Sequence, residues 1–417
     1  MNLLFFKKVL SNKIVQNTGY LSIIEVFRLL LPFIALPYII KTIGATNYGS
    51  IAFMQAIISY FQIYINWGLD ISAVKDVAIA RGNSMDLGRI VTSVLGIKFL
   101  HLIISAAILS IAAIFIPYLK DNSLLLFFCF LMCFTEVLFP IWFYQGIEKM
   151  QYLVIIRFIS ILFYTISIFV FIHKSADYIY VPLLQSLGNI LAGFVSLFLL
   201  MKIEKISFYR VSRDYVFKMY KDSTPFFVSR VSVVLNNSIA KTVSGIFFNM
   251  NVVAAFDLAQ KITNFALVPI SMLNQAIYPN ISRSQSKPFA QKCLYLNISI
   301  SFLIALLVFV LAPFAVEYFA KDELQEAIVL VRILCLWIFF GGIVVYLGTP
   351  VLVAFGYPKP FNNSILFGTF TLICLYVIML ITGQAEIEYF AYALCLSEFV
   401  MLLYRFHYSL HYKIIHL

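Results

Sequence analysis

The chain has 417 residues, of which 62% are hydrophobic and 12% charged, with a mean hydropathy of +0.94. A soluble protein of this length has no core large enough to hide so much apolar surface, so the chain reads as a polytopic membrane protein. The formal net charge of +11 would suit a nucleic acid, but the basic residues are scattered over short loops rather than massed on one face, and that partner is set aside.

The N-terminus does not read as a cleaved signal. Lys7, Lys8 and Lys13 precede an apolar segment that is too long and has no small-residue cleavage site. That segment, residues 19–43, carries Glu25 and Arg28 at membrane depth, and Pro32 and Pro37 break its helix. Charge at that depth is costly and faces a bundle interior or a watery cavity. Proline is tolerated there where neighbours or water satisfy the freed carbonyls. Eleven further spans follow near 48–72, 88–116, 122–145, 152–172, 180–201, 223–248, 252–280, 294–319, 326–354, 362–383 and 386–408. The longest polar connection, KIEKISFYRVSRDYVFKMYKDS, separates the sixth from the seventh. The expected domains are an N-terminal six-helix lobe (1–205), a basic cytoplasmic linker (206–222) and a C-terminal six-helix lobe (223–417).

With the N-terminus in the cytoplasm, 20 of the 30 Lys and Arg residues, Arg157 and Arg405 among them, fall on the cytoplasmic side and 4 on the other. That bias fits an even span count with both termini cytoplasmic. Pro140, Gly146 and Lys149 at the end of span four recur as Pro350, Gly356 and Lys359 at the end of span ten, at a constant offset of 210. The expected fold is therefore all-α, with twelve transmembrane helices in two pseudo-symmetric six-helix lobes around a central cavity.

Polar residues in spans one, two, seven and eight fall at helical spacing. Span two has Gln55, Ser59, Gln62, Asn66 and Asp70; span seven has Arg230, Asn237, Lys241 and Ser244; span eight has Asp257, Lys261, Asn264, Ser271 and Gln275. Such stripes face protein or water. Interhelical hydrogen bonding accounts for a single Asn or Ser; four aligned stripes point to a hydrophilic cavity. Asp257 and Lys261, like Glu25 and Arg28, are close enough along one helix to neutralise each other. Arg230 and Lys241 then remain as unpaired cations, with intramembrane ion pairing as the competing reading. Arginine and lysine suit phosphate, and Asn and Gln suit sugar hydroxyls. The inferred ligand is anionic, polar and large. The candidate anion-binding set is Arg28, Arg230, Lys241 and Lys261, and the candidate polar contacts are Gln55, Gln62, Asn66, Asn237, Asn264 and Gln275. Pro32, Pro37 and Pro269 are candidate hinges. Lys98, His101 and Arg332 read as rim or snorkelling residues. Glu136 and Glu398 read as lone acids at depth, able to carry a proton or to hold helices together.

The six cysteines form no CxxC pair and read as small buried hydrophobes. His407 and His411 read as a chain end near headgroups. No phosphate-binding GxxxxGK[ST] loop, HExxH or GxSxG motif is present, and no metal or other cofactor is called for.

Asn17…Tyr20, Leu31-Pro32, Leu36-Pro37-Tyr38, Ile43-Gly44, Tyr48-Gly49, Asn66-Trp67-Gly68-Leu69 and Gln145-Gly146 with Lys149 resemble the polysaccharide-transporter branch (Wzx-type O-antigen flippases) of the multidrug/oligosaccharidyl-lipid/polysaccharide (MOP) exporter superfamily. The motifs lie mostly in the first 150 residues. The resemblance implies two six-helix lobes forming a V around a cationic cavity in the bacterial inner membrane. It implies transfer of undecaprenyl-diphosphate-linked oligosaccharide from the cytoplasmic to the periplasmic leaflet by alternating access, not catalysis. Polysaccharide polymerase and chain-length machinery are implied neighbours in the surrounding membrane lipids. On that plan Glu25, Asp257, Glu136 or Glu398 carries a coupling ion or proton. The rival readings are a lipid II or multidrug exporter of the same superfamily and, from another class, a membrane-embedded glycan polymerase or ligase. The short outer loops count against the enzyme.

Overall fold

The computed structural model describes residues 31, 33–383 and 386–416. Glu25, Arg28 and Pro32 lie outside the described residues. Those residues form helices α1 (Phe33–Ile43), α2 (Ala45–Asn66), α3 (Leu69–Ile79), α4 (Ser84–Phe115), α5 (Pro117–Asp121), α6 (Ser123–Phe130), α7 (Cys133–Leu138), α8 (Ile141–Gly146), α9 (Met150–Phe171) and α10 (Tyr180–Lys202). After the basic connection come α11 (Arg213–Phe247), α12 (Met250–Ala266), α13 (Val268–Ser284), α14 (Lys287–Ala320), α15 (Glu326–Tyr346), α16 (Pro358–Thr382) and α17 (Ile387–His411).

Every expected span meets one of these helices or a broken run of them. Among the described residues, eight helical stretches are long and apolar enough to cross a bilayer. The spans outside those eight are one, two, seven and eight. They are the spans that carry the polar stripes, and the described part of the first is short. The all-helical, multi-pass fold read from hydropathy therefore holds, and twelve spans are consistent with it.

The helices are arranged for lipid rather than water. On α14 the exposed side chains are large and apolar, among them Phe302, Leu303, Leu307, Val310 and Phe314. Through the middle of the helix the buried ones are small or polar: Asn297, Ser301, Ala305 and Ala312. Small residues let helices approach closely where hydrocarbon offers no hydrophobic drive for their association. The six cysteines are all free, and five are buried.

Prolines and glycines mark most of the irregularities. Span four is cut into α6, α7 and α8, with Pro140 standing at the start of α8. Its counterpart Pro350 lies in a π-helical stretch, Leu347–Val353, that ends span ten. Pro269 sits in the first turn of α13, at the break after α12, where a missing N–H costs nothing. Pro37 breaks nothing: α1 runs through it.

The described chain separates into two compact units. One holds the residues up to Ile43 with Met54–Val231, and the other holds Gly44–Phe53 with Ser232 onward. In the first unit, a core of α3, α4, α8 and α9 side chains gathers round the fully buried Trp142, Phe143 and Tyr144. In the second, Tyr346, Leu347, Val351 and Leu352 form a core with Ile414 and Ile415 from the end of the chain. Segment 44–53 is held in the second unit by polar contacts. The Ala45 N–H donates to Glu323 Oε2 at 2.8 Å, and Thr46 Oγ1 donates to Asn251 Oδ1 at 2.6 Å.

Span two is not one continuous helix. Trp67 and Gly68 take φ values of 48° and 71° and separate α2 from α3. Within the first unit, Trp67 stacks on Tyr220 and Phe227 with ring centroids 4.6 and 4.0 Å away. A Cβ on Gly68 would come within 2.6 Å of the Phe227 nitrogen and 2.7 Å of the Ser223 carbonyl oxygen. Gly68→Ala is accordingly expected to lower the thermal midpoint of the detergent-solubilised protein by several degrees. An unchanged midpoint would mean that α11 yields freely at this point.

Candidate functional site

Three polar clusters arise from the stripes, two in the second unit and one in the first. The first of them centres on Asp257. This residue is buried on α12, and its carboxylate is shared by two lysines. Lys241 Nζ of α11 approaches Oδ1 at 3.0 Å, and Lys261 Nζ, one turn along α12, approaches Oδ2 at 2.7 Å. Tyr48, at the start of α2, donates its hydroxyl to Asp257 Oδ2 at 2.5 Å. It also accepts from Lys261 Nζ at 2.6 Å and lies with its ring 4.9 Å from that ammonium. Gly44, with φ 83°, makes the turn that starts this segment. Gly49 lies so close to the Met250 backbone that no side chain fits there. The Ile43-Gly44 and Tyr48-Gly49 steps thus deliver a phenol to the lysines.

The expected pairing of Asp257 with Lys261 holds. The expectation that Lys241 stands alone does not, because Asp257 lies across the helix interface, 16 positions away in sequence and out of reach of any single-helix rule. The cluster carries two cations and one anion, a net charge of +1. Lys261 keeps 40% of its side chain exposed, against 18% for Lys241 and 5% for Asp257. One cation is thus available to a ligand while the carboxylate stays hidden.

The second cluster lines a cavity of about 360 Å³ between α11, α12, α15, α16 and α17. Its wall includes Asn236, Asn237, Gln260, Thr263, Asn264, Trp337, Glu398 and Arg405. Asn237, Asn264 and Glu398 come from three different spans and meet here. Glu398 shares this lining with Arg405 and Trp337. Arg405, which the charge bias places on the cytoplasmic side, is 4% exposed within α17. It donates to the Val344 carbonyl at 2.6 Å and to Ser364 Oγ at 2.8 Å, and lies 4.7 Å from the Phe361 ring. Gly348 leaves the room its guanidinium needs.

The third cluster lies in the first unit. Asn66 of α2 donates to Asp70 of α3 and to Glu136 Oε2 of α7 at 3.1 Å. Lys98 of α4 donates to Asp70 Oδ1 at 2.5 Å and to the Glu136 carbonyl at 3.0 Å. Lys98 is therefore no rim residue: its side chain is 1% exposed. Glu136 is no lone acid either. Arg157, which the charge bias also places on the cytoplasmic side, lies within α9, donating to Asn189 Oδ1 at 3.3 Å with its guanidinium 4.3 Å from the Phe139 ring. Gln55 donates to Gln185 at 2.9 Å. Gln62 is half-buried, Gln275 and Arg230 are exposed, and none of the three joins a cluster. Among the described residues, no acid lies within ion-pair distance of Arg230. A wider cavity of about 520 Å³ in the first unit is lined by Asp76, Asp86, Arg89 and Arg210. Its charges cancel, and no polar stripe contributes to it.

Tyr48 and Trp337 are members that helical spacing did not single out, and Lys98 and Arg405 are members that it placed elsewhere. Each acts across a helix interface.

The family model described as "Polysaccharide biosynthesis protein" matches residues 14–285. A candidate O-antigen transporter of Escherichia coli (strain K12) is 25% identical over 267 residues, 64% of this chain and 64% of that protein. A similarly described protein of Shigella dysenteriae is 24% identical over 280 residues, 66% of this chain and 69% of that one. The chain thus spans just under two thirds of the first of these relatives. Among solved structures, the lipid II flippase MurJ in an inward closed conformation matches with a TM-score of 0.73 at 13% identity, covering 94% of this chain and 88% of that one. An inward-facing multidrug resistance MATE family transporter of the MOP superfamily matches at 0.68 and 14% identity, covering 91% and 97%. The resemblance read from the sequence is borne out, and the chain belongs to the polysaccharide biosynthesis protein family, with the fold of MOP-superfamily transporters.

Proposed function

We propose that the protein is a flippase for lipid-linked oligosaccharide, moving an undecaprenyl-diphosphate-linked repeat unit from the cytoplasmic to the periplasmic leaflet of a bacterial inner membrane. The observation that carries this reading is the Asp257 cluster, in which two lysines share one hidden carboxylate and leave a net positive charge in a membrane-embedded bundle. A diphosphate accepts charge-assisted hydrogen bonds from such ammonium groups, and Asp257 holds them in place until it arrives. Lys241 and Lys261 bind the anion. Arg28 and Arg230 are assigned to the same task from the sequence. Asn237, Asn264, Gln55, Gln62, Asn66 and Gln275 are assigned to the glycan, and the prenyl chain stays in lipid. Glu136, Glu398, Asp257 and Glu25 are the candidates for ion or proton coupling, and Pro32, Pro37 and Pro269 for hinges.

On this reading the chain moves its substrate between leaflets without catalysing a reaction. Both termini are cytoplasmic, the two lobes correspond to 1–205 and 223–417, and the repeat-unit polymerase works downstream. A multidrug exporter for organic cations would need an anionic site, which the net charge of the Asp257 cluster opposes.

Complementation tests the proposal. A Gram-negative strain lacking its O-antigen flippase and expressing this chain is expected to regain an O-antigen ladder in at least one glycan background. Cells that regain no ladder in any background but gain drug efflux would overturn it.

A further inference from the structure

Cavity and charge together separate the second unit into two sites of different chemistry. The Asp257 cluster is a net cation. The cavity of about 360 Å³ beside it is lined by one acid and one base, Glu398 and Arg405, and Arg405 is bonded to the Val344 carbonyl and Ser364. The two charges cancel within the lining, so the cavity suits a neutral guest. The rest of its polar wall is amide and hydroxyl, with Asn237, Gln260 and Asn264 among the amides, and the Trp337 indole lies in the same lining. Amides offer a donor and an acceptor each, matching vicinal hydroxyls, and an indole offers an apolar face with a polar edge. The volume falls near the small end of the roughly 300–1,000 Å³ typical of small-molecule sites.

We propose that this cavity is a monosaccharide-ring site, accepting one uncharged pyranose by amide hydrogen bonds and contact with Trp337. The inference rests on the lipid-linked-saccharide reading above and adds to it the place where a sugar is recognised. Register supports it. Asn237 precedes Lys241 by four residues on α11, and Asn264 follows Lys261 by three on α12, so ring site and anion site are about one helical turn, or roughly 6 Å, apart. A ring that occupies the cavity is therefore one close to the diphosphate. This makes the cavity a specificity determinant, because a site built to hydrogen-bond hydroxyls rejects analogues that lack them.

The test is equilibrium binding of soluble probes to the purified full chain, read by tryptophan fluorescence and compared with Trp337→Phe. The probes are a panel of methyl glycosides, neutral and acetamido, and inorganic pyrophosphate. At least one glycoside is expected to give a saturable change that Trp337→Phe loses. Asn264→Ala or Gln260→Ala should weaken it by about tenfold, as for one lost hydrogen bond in a water-poor site. Lys241→Ala should leave glycoside affinity unchanged while weakening pyrophosphate. Asn264→Gln should recover part of the loss, which separates hydrogen bonding from misfolding. No response to any glycoside from a chain that still binds pyrophosphate overturns the ring site and leaves the flippase reading standing. So does a glycoside response that neither amide variant moves. Glycoside binding that persists without pyrophosphate binding, and without a ladder in complementation, would sink the flippase reading and keep the cavity.

Discussion

Lys98→Met is expected to destabilise the protein more than any other single change in the first unit. Its ammonium is 1% exposed and lies 2.5 Å from Asp70 Oδ1. Methionine fills a similar volume but leaves Asp70 and Glu136 with Asn66 as their shared side-chain donor. Breaking a buried ion pair from one side costs about 3–5 kcal/mol, and because Asp70 keeps 28% of its side chain exposed the loss falls at the lower end, about 3 kcal/mol. For a unit of this size that corresponds to a fall of roughly 10 °C in thermal midpoint, measurable in detergent by the loss of monodisperse protein on heating. Replacing both partners is gentler, since no stranded charge remains. The double variant Asp70→Asn with Lys98→Met should recover at least half of the loss. If the single variant melts with the wild type, the pair is not holding α3 to α4.

Lys241→Glu carries the second large effect, and it falls on function. The substitution turns a cluster of net charge +1 into one of −1, with Asp257 and the new carboxylate facing a single lysine. A diphosphate would then meet repulsion where it now meets two donors. Each hydrogen bond to a charged group contributes about 1.5–3 kcal/mol, so even Lys241→Ala should lower affinity for pyrophosphate by about ten- to a hundred-fold. Lys241→Glu should abolish it, together with the O-antigen ladder in a complemented strain. Lys241→Arg keeps the charge and should retain much of both. Asp257→Asn works in the opposite direction: it frees both lysines, so pyrophosphate should bind more tightly, while the unpaired ammonium groups lower stability. A ladder of normal intensity from Lys241→Glu at normal expression would remove the cluster from the transport path.

The spans were legible because the membrane imposes one rule on every segment, and hydropathy reads it directly. The polar stripes were legible for the same reason: Gln55, Asn66, Lys241, Asp257 and Asn264 stand out against an apolar background at helical spacing. Partner choice was not legible. Lys98 meets Asp70 from 28 positions away, and Lys241 meets Asp257 across an interface, while a single-helix rule sees only neighbours three or four apart. Arg405 and Arg157 were misread as loop cations because they lie near the ends of their spans, where snorkelling is the ordinary expectation. Neighbouring helices supply acceptors instead, Val344 and Ser364 for Arg405 and Asn189 for Arg157. Tyr48 was legible as a motif residue but not as a ligand-site residue. Its role depends on Gly44 and Gly49, which set its position against Met250 and Asp257. Pro37 carries the opposite lesson. Its sequence signal for a break is strong, yet the helix continues through it, whereas Pro269 coincides with a real one.

On the proposed function, two lysines sharing Asp257 draw a lipid-linked diphosphate across the membrane. Proteoliposomes containing the purified chain and a fluorescent undecaprenyl-diphosphate-linked saccharide, labelled on the sugar, test it most directly. The signal is the rate at which label from the inner leaflet becomes exposed to a membrane-impermeant quencher. The wild type should expose label that protein-free vesicles keep protected, and Lys241→Ala with Lys261→Ala should slow the rate at least about tenfold, as expected for losing charge-assisted contacts. A fluorescent neutral glycolipid of the same length should cross no faster than in empty vesicles. Equal rates for wild type and double variant, or transport of the neutral lipid as fast as the diphosphate, would contradict the account.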